Sequence, residues 1–302
     1  MYRFKKLLVH LSLQDGSEDA AIIAYAGKIT KLAESESVTF LHVAAKIDIP
    51  ATLKQRYPWL VEPIDEAARQ RADAYVKEHF DGFAATKVTV EVCDGNHSQV
   101  LLERAKNDDV DLIIIGSKED DGQLSVKLAR KATCSVMTVP EGANADFKQI
   151  LVPLDFSRFS GNALDVAVAF ADAEKLPSIH GFHAYCLPTG YHRATISKQQ
   201  FEADLEAHAQ TQFDSFISGQ DTRGIQVETH IANSPLIPQA ALRAAKEAQA
   251  DLIMIGCRGK DSFTASLLGS NSEAILRMAT IPVVAVKEKG TGRALLQSLL
   301  GA

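Results

Sequence analysis

Short apolar, β-branched runs alternate along this chain with longer stretches whose apolar residues recur at helical spacing, the signature of βα units feeding a parallel sheet. The runs predict strands over residues 5–12, 37–43, 87–93, 111–116 and 134–139, then again over 148–155, 178–185, 225–231, 251–256 and 281–287. Several are apolar at every position, Leu252 to Ile255 most clearly, which fits strands covered by helices on both faces. Helical patterns fill 62–80 and 196–218, within the long segments that follow the second strand of each half and carry Pro50, Pro58, Pro63 and Pro188 in their loops. Such segments either cover a pocket or pack as surface excursions. The pattern predicts an α/β chain made of doubly wound units.

The second half repeats the first. Lys5–Leu13 matches Lys148–Phe156, Phe40–Val43 matches Gly181–Ala184, Asp111–Gly116 matches Asp251–Gly256, and Ala132–Val139 matches Ala279–Val286, all in the same order. Four collinear matches point to internal duplication. The boundary falls in the short polar stretch Glu141–Asp146, which is too short for a flexible tether, giving expected domains over 1–143 and 144–302.

Composition narrows the partners. A net charge of −6, with 46% hydrophobic and 23% charged residues, lacks the basic bias of a general nucleic-acid binder. The apolar run Leu7–Val9 behind Lys5 and Lys6 is too short for a signal peptide or a spanning helix, so a cytoplasmic protein without membrane contact is expected. Cys93, Cys134, Cys186 and Cys257 are widely spaced with no CxxC, which predicts reduced thiols and no thiolate metal site. His180 and His183 form an HxxH, but three residues apart on a strand they face opposite ways, so no metal is expected from that pair.

Candidate chemistry gathers at two strand ends of the second half. In an open parallel sheet, ligands collect at carboxyl ends of strands, where helix N-termini direct their amides outward. The first strand ends in Pro153-Leu154-Asp155, whose carboxylate either accepts bonds from a ribose hydroxyl or adenine amine, or caps a helix with Ser157. The fourth ends in Ile255-Gly256, and Gly259 allows close backbone approach to an anion. Gly269-Ser270-Asn271 precedes the helical pattern Glu273–Met278, whose free amides suit phosphate. Arg258 either neutralises phosphate or is solvated, as is Lys260. Cys257 reads as a small residue in a tight loop, with redox sensing the alternative. There is no GxxxxGK[ST] and no GxGxxG after a first strand.

Gly256, Gly259, Gly269 and Ser270 fit the pattern GxxG, nine residues, G[S/T], and with the ending Ile281–Val286 the chain resembles a tandem universal stress protein. The resemblance covers about residues 3–140 and 146–288. It implies two Rossmann-like domains, each a five-stranded parallel sheet of order 3-2-1-4-5, with ATP or another adenine nucleotide (AMP or ADP), with or without Mg²⁺, between strands one and four. By motif position, Asp155 and Pro153 would meet the ribose or adenine, Ala184 would hold adenine through its backbone, and Ile255 and Gly256 would line both. Gly259, Gly269, Ser270 and Asn271 would hold phosphates. Ala184 and Asn271 depart from the valines usual in the family. The resemblance also implies fifth strands pairing across domains, here Cys134–Val139 and Ile281–Val286, which would protect two apolar edges, and it allows a homodimer.

The first half has lost the motif. Glu119 stands where the second glycine belongs, Ser12 stands where Asp155 does, and only 16 residues separate Gly116 from Thr133, against 23 between Gly256 and Thr280. Glu119, Asp120 and Asp121 would repel phosphate, so no triphosphate is expected there. The second half shows no nucleophile–base pair and no clear Mg²⁺ ligand set beyond Asp155 and Ser270. The expectation is a nucleotide-dependent stress-response regulator with at most slow ATP hydrolysis, the alternative being a scaffold or chaperone-like protein that binds no nucleotide. A nucleotidyl-transfer enzyme would need an SGGxDS or HIGH-like motif, which Pro153–Phe159 lacks. The Gly290-Thr291-Gly292 pair and the leucines of Ala294–Leu300 read as a frayed tail with a partner contact as the alternative.

Overall fold

A computed structural model describes residues 3–14, 18–44, 56, 64–117, 123–188, 197–257 and 268–288. The chain divides into two compact units, with the change between Asp146 and Phe147.

The first unit contains β1 (Lys6–Leu11), α1 (Asp19–Ala33), β2 (Ser37–Ala44), α2 (Ile64–His79), β3 (Lys87–Asp94), α3 (His97–Asn107), β4 (Leu112–Gly116), α4 (Gln123–Lys131) and β5 (Ser135–Val139). Its strands are parallel in the order β3-β2-β1-β4-β5. The centre is dry: Leu8, Val9, Leu112, Ile113, Ile114 and Ile115 are fully buried, each such side chain contributing roughly 1.5–3 kcal/mol. On α1, Ile22, Ile23, Ala26, Ile29 and Ala33 recur at helical spacing and form the buried face. That helix stops where Glu34 turns left-handed and its N–H closes on the Thr30 carbonyl. Tyr25, also buried, donates its hydroxyl to the Asn144 carbonyl at 2.6 Å, fastening the segment that follows β5.

The second unit contains β6 (Ile150–Pro153), α5 (Arg158–Glu174), β7 (Ser178–Tyr185), α6 (Lys198–Ser218), β8 (Gln226–Asn233), α7 (Ile237–Glu247), β9 (Leu252–Gly256), α8 (Ser270–Met278) and β10 (Val283–Val286). Its strands are again parallel and run β8-β7-β6-β9-β10, the same 3-2-1-4-5 order counted within the unit. Ser157 caps α5 by accepting the Ser160 N–H, and Lys175 ends it in the left-handed conformation that Glu34 supplies for α1. On α6 only Ala209 and Phe213 are buried, so this long helix lays a narrow apolar stripe on β7 and β8 and leaves the rest to solvent. Among the described residues no helix is long and apolar enough to cross a membrane.

The two units use the same internal braces. Asp111 accepts the backbone N–H groups of Lys5 and Lys6 at 2.8 and 2.9 Å, and Asp251 accepts those of Lys148 and Gln149 at 2.7 and 3.1 Å. Each carboxylate precedes a fourth strand and ties it to the start of a first strand. At the opposite end, His42 Nδ1 donates to the Leu11 carbonyl and His183 Nδ1 to the Leu154 carbonyl, both at 2.8 Å. A carbonyl only accepts, so each bond fixes the proton on Nδ1. Leu13 and Phe156, the last residues of the matching segments, both take positive φ (55° and 61°), so the chain leaves both first strands through the same left-handed step.

Candidate functional site

The site is best built from β6 and β9, which lie side by side at the centre of the second sheet and send their successors in opposite directions. Such a reversal opens a crevice beyond the carboxyl ends. The described ladder between these strands holds Ile150 opposite Leu252 and Leu151 opposite Ile253, at their amino-terminal ends, while Pro153, Asp155, Ile255 and Gly256 lie beyond those pairs.

Asp155 is half-buried at the mouth of that crevice. Its Oδ1 accepts the Ser157 N–H at 3.0 Å and the Ser157 hydroxyl at 2.6 Å, a local turn that also positions Ser157 to cap α5. The helix cap itself is Ser157, and Asp155 orients that residue. Phe156 lies over the His183 ring at 4.2 Å, so the loop after β6 is stacked on β7 next to Ala184. Tyr185 ends β7, and burial together with Glu206 and Glu202 pushes its phenol above the ordinary range, keeping it a protonated donor.

On the other wall, Ile255 and Gly256 are buried at the end of β9. A Cβ on Gly256 would sit 2.7 Å from the Phe159 backbone, so the glycine lets α5 approach the strand end closely. Ser272 donates its hydroxyl to the Gly256 carbonyl at 2.7 Å, and the Gly269 N–H reaches the Cys257 carbonyl at 2.7 Å. These two bonds bring the first turn of α8 to the end of β9. Gly269 is the N-cap of α8 and supplies no side-chain acceptor, so among the described residues no N-cap side chain satisfies the first-turn amides at Ser270, Asn271 and Ser272, with Ser270 and Asn271 exposed. Glu273, acidic in this same turn, is drawn to Arg277 at 3.2 Å.

The structure thus groups Pro153 and Asp155, with Ala184 beside them, along one wall, and Ile255, Gly256, Gly269, Ser270 and Asn271 along the other. Arg258, Gly259 and Lys260 lie outside the described residues, as do Glu119, Asp120 and Asp121, Pro50, Pro58 and Pro63, and the tail from 289 to 302. Cys257 is buried, with its backbone bonded to Val286 and Gly269, as a small residue in a tight turn would be.

The corresponding corner of the first unit carries acids that the sequence pattern did not single out. Asp19, on the first turn of α1, accepts the N–H groups of Ser12 and Leu13 at 3.0 and 2.7 Å and is 1% exposed. Glu18, also buried, brings a carboxylate oxygen within 2.8 Å of where a Cβ on Gly116 would lie. The available signal was the pair of acids opening an apolar helical stretch directly after a first strand.

With this geometry in place, relatives become informative. The universal stress protein family model matches residues 3–140 and again 146–287. The chain belongs to the universal stress protein family. It carries two tandem family domains, and the duplication read from four short matches is the family unit repeated. Universal stress protein G of Salmonella typhimurium is 29% identical over 147 residues, covering 47% of this chain and 99% of that protein. A universal stress protein E homolog of Haemophilus influenzae is 21% identical over 242 residues, spanning 70% of this chain and 74% of the relative. Among solved structures, a universal stress protein from Archaeoglobus fulgidus superposes with TM-score 0.61 at 19% identity, covering 96% of this chain and 98% of that one. A functionally unknown protein from Pseudomonas aeruginosa gives TM-score 0.66 at 16% identity, covering 99% and 98%. At these identities the structures speak to the fold, which is the family's α/β fold in both halves.

Proposed function

We propose that this universal stress protein binds ATP or a related adenine nucleotide in the crevice between β6 and β9 and acts as a nucleotide-dependent regulator in the cytoplasm. The observation that carries the reading is the convergence of Gly256, held by Ser272, with the uncapped first turn of α8 opposite Asp155. Phosphates would be taken by the α8 amides, the Ser270 hydroxyl, Asn271 and the Gly259 loop, with Arg258 supplying countercharge. The base and ribose would lie against Pro153, Asp155, the Ala184 backbone and Ile255. To bind a ribose hydroxyl, Asp155 would exchange its bonds with Ser157. Mg²⁺, if carried with the nucleotide, would draw its oxygen ligands mainly from phosphate and water, since only Asp155, Ser270 and Asn271 offer side-chain oxygens from this set. These residues bind and orient; they form no nucleophile–base pair, so hydrolysis beyond slow turnover is not part of the proposal. Pairing of the two fifth strands and formation of a homodimer belong to the same reading and rest on family resemblance.

The test is mass spectrometry of any nucleotide released from the purified protein, with ATP binding measured on wild type, Asp155→Ala and Gly259→Glu. Binding that weakens in both variants supports the site, and binding that survives in both overturns it. The scaffold reading draws support from the Asp155–Ser157 turn, which is complete without a ligand. It requires that the wild type carry no nucleotide and show no thermal shift with ATP.

A further inference from the structure

We propose that His180, Glu228 and His230 form a three-ligand site for a zinc-class divalent cation on one face of β7 and β8. Parallel pairing sets His180 opposite Glu228 and Phe182 opposite His230. Partners in register project to the same side and the side-chain period along each strand is two, so all three candidate ligands share a face. His183 falls on the other face, where its Nδ1 is committed to the Leu154 carbonyl. The HxxH spacing is therefore not the relevant pattern. The relevant one is cross-strand register.

The distances suit a small, four-coordinate ion. His180 Nδ1 lies 2.9 Å from His230 Nε2 and 3.4 Å from Glu228 Oε2, and all three ligand atoms fall within 4.8 Å of one another. Bonds of about 2.0–2.1 Å in tetrahedral geometry place ligand atoms about 3.3–3.4 Å apart, so the ion requires only a slight opening of the His–His contact. Without metal, the two imidazoles must share a proton across their 2.9 Å contact. Binding would replace that hydrogen bond, with His230 moving its proton to Nδ1 so that both nitrogens present lone pairs and no net proton is released.

The supporting groups are those expected of a built metal centre. Gln149 Oε1 lies 2.8 Å from His180 Nε2, and with that oxygen accepting, the proton sits on Nε2 and Nδ1 faces the centre. Ser178 donates its hydroxyl to Glu228 Oε1 at 2.6 Å, leaving Oε2 directed at His180. Burial pushes His180 below the usual histidine range, Glu228 pulls it upward and His230 lowers it again; the net direction favours the neutral, ligating ring. His180 is 6% exposed, whereas Glu228 and His230 are half-buried on the edge strand, so an ion can enter from solvent. Two imidazole nitrogens with one carboxylate suit zinc better than the all-oxygen sets of magnesium and calcium. Three protein ligands leave a fourth position, and His230 also lines an open cleft of about 380 Å³ with Phe182, Arg243 and Glu247.

Tag-free full-length protein, stripped by chelator and free of nucleotide, should be titrated with Zn²⁺ by calorimetry and with Co²⁺ by visible spectroscopy. The expected result is one high-affinity Zn²⁺ per chain and the intense visible bands of tetrahedral Co²⁺ without a thiolate charge-transfer band. His230→Ala should abolish both, and Gln149→Leu should weaken Zn²⁺ binding about 10–100-fold. Glu228→Gln, close in volume, provides a second ligand variant should His230→Ala fail to fold. The proposal is overturned if folded His230→Ala or Glu228→Gln binds Zn²⁺ as wild type does, if Co²⁺ shows thiolate ligation, or if wild type takes up no ion and the histidines hold only a proton.

Discussion

The corner beyond β1 and β4 and the corner beyond β6 and β9 occupy the same place in the same fold, yet acids close the first and an uncapped helix end opens on the second. In the first, Asp19 reaches from α1 to hold Ser12 and Leu13, and the Glu18 carboxylate fills the space in front of Gly116. In the second, the aspartate belongs to the loop itself, Gly256 faces helix backbone, and Gly269 leaves the α8 amides uncapped. Negative charge in the first corner would repel phosphate, while the helix end in the second would attract it. The braces remote from this corner are unchanged between copies. The residues at this corner can therefore differ between two doubly wound units without disturbing what holds each sheet together.

The sharpest way to break this comparison is at the phosphate loop. Gly259→Glu should cut ATP affinity at least about 100-fold, or roughly 2.7 kcal/mol, by setting a carboxylate beside the phosphates, while the equivalent Glu119→Gly should create no site in the first unit. Calorimetric titration of each variant checks both. Next in size is Asp19→Ala, which strands two backbone N–H groups and should cost about 2 kcal/mol in urea unfolding with no change in ATP binding. Asp155→Ala should show the reverse, under about 1 kcal/mol of stability but about tenfold in affinity.

Packing separates the copies more gently. Gly256→Ala forces its methyl onto the Phe159 backbone and should cost about 1–2 kcal/mol, whereas at Gly116 the obstacle is the end of a glutamate side chain that can turn away, so Gly116→Ala should cost less. Chemical denaturation of the two variants in parallel tests the ordering. The smallest effect should also be the most nearly equal. His42→Phe and His183→Phe each remove one bond to a first-strand carbonyl and should cost about 1 kcal/mol apiece; a markedly larger loss in one unit would show that the braces are not equivalent.

The fold was legible because the central strands are buried on both faces and so carry almost unbroken apolar runs. Residues 251–256 were expected as a strand and Leu252–Gly256 form one, and 178–185 match β7 end to end. Boundaries slipped where local chemistry overrode hydrophobicity. The last helix was expected from Glu273, but α8 begins at Ser270, because Gly269 acts as N-cap ahead of three polar residues. The glycine and aspartate positions of the candidate crevice were legible from spacing, since they sit at strand ends that sequence locates well. The acids of α1 and the His180–Glu228–His230 group were not. The first depends on how a helix side chain reaches back to a loop, and the second on register between strands about 50 residues apart, neither of which hydrophobic periodicity encodes.

The aspartate braces at Asp111 and Asp251 bear on how such a chain can diversify. They sit at the amino-terminal end of the sheet and accept main-chain amides of the first strand, bonds that depend little on the identity of the residues tied. After a gene doubles, the loops at the opposite end are then free to drift independently in the two copies, while both still fold on the same anchor. Recombining the two halves should be correspondingly tolerant: exchanging β1 for β6 swaps the side chains but presents each aspartate with the same pair of amides.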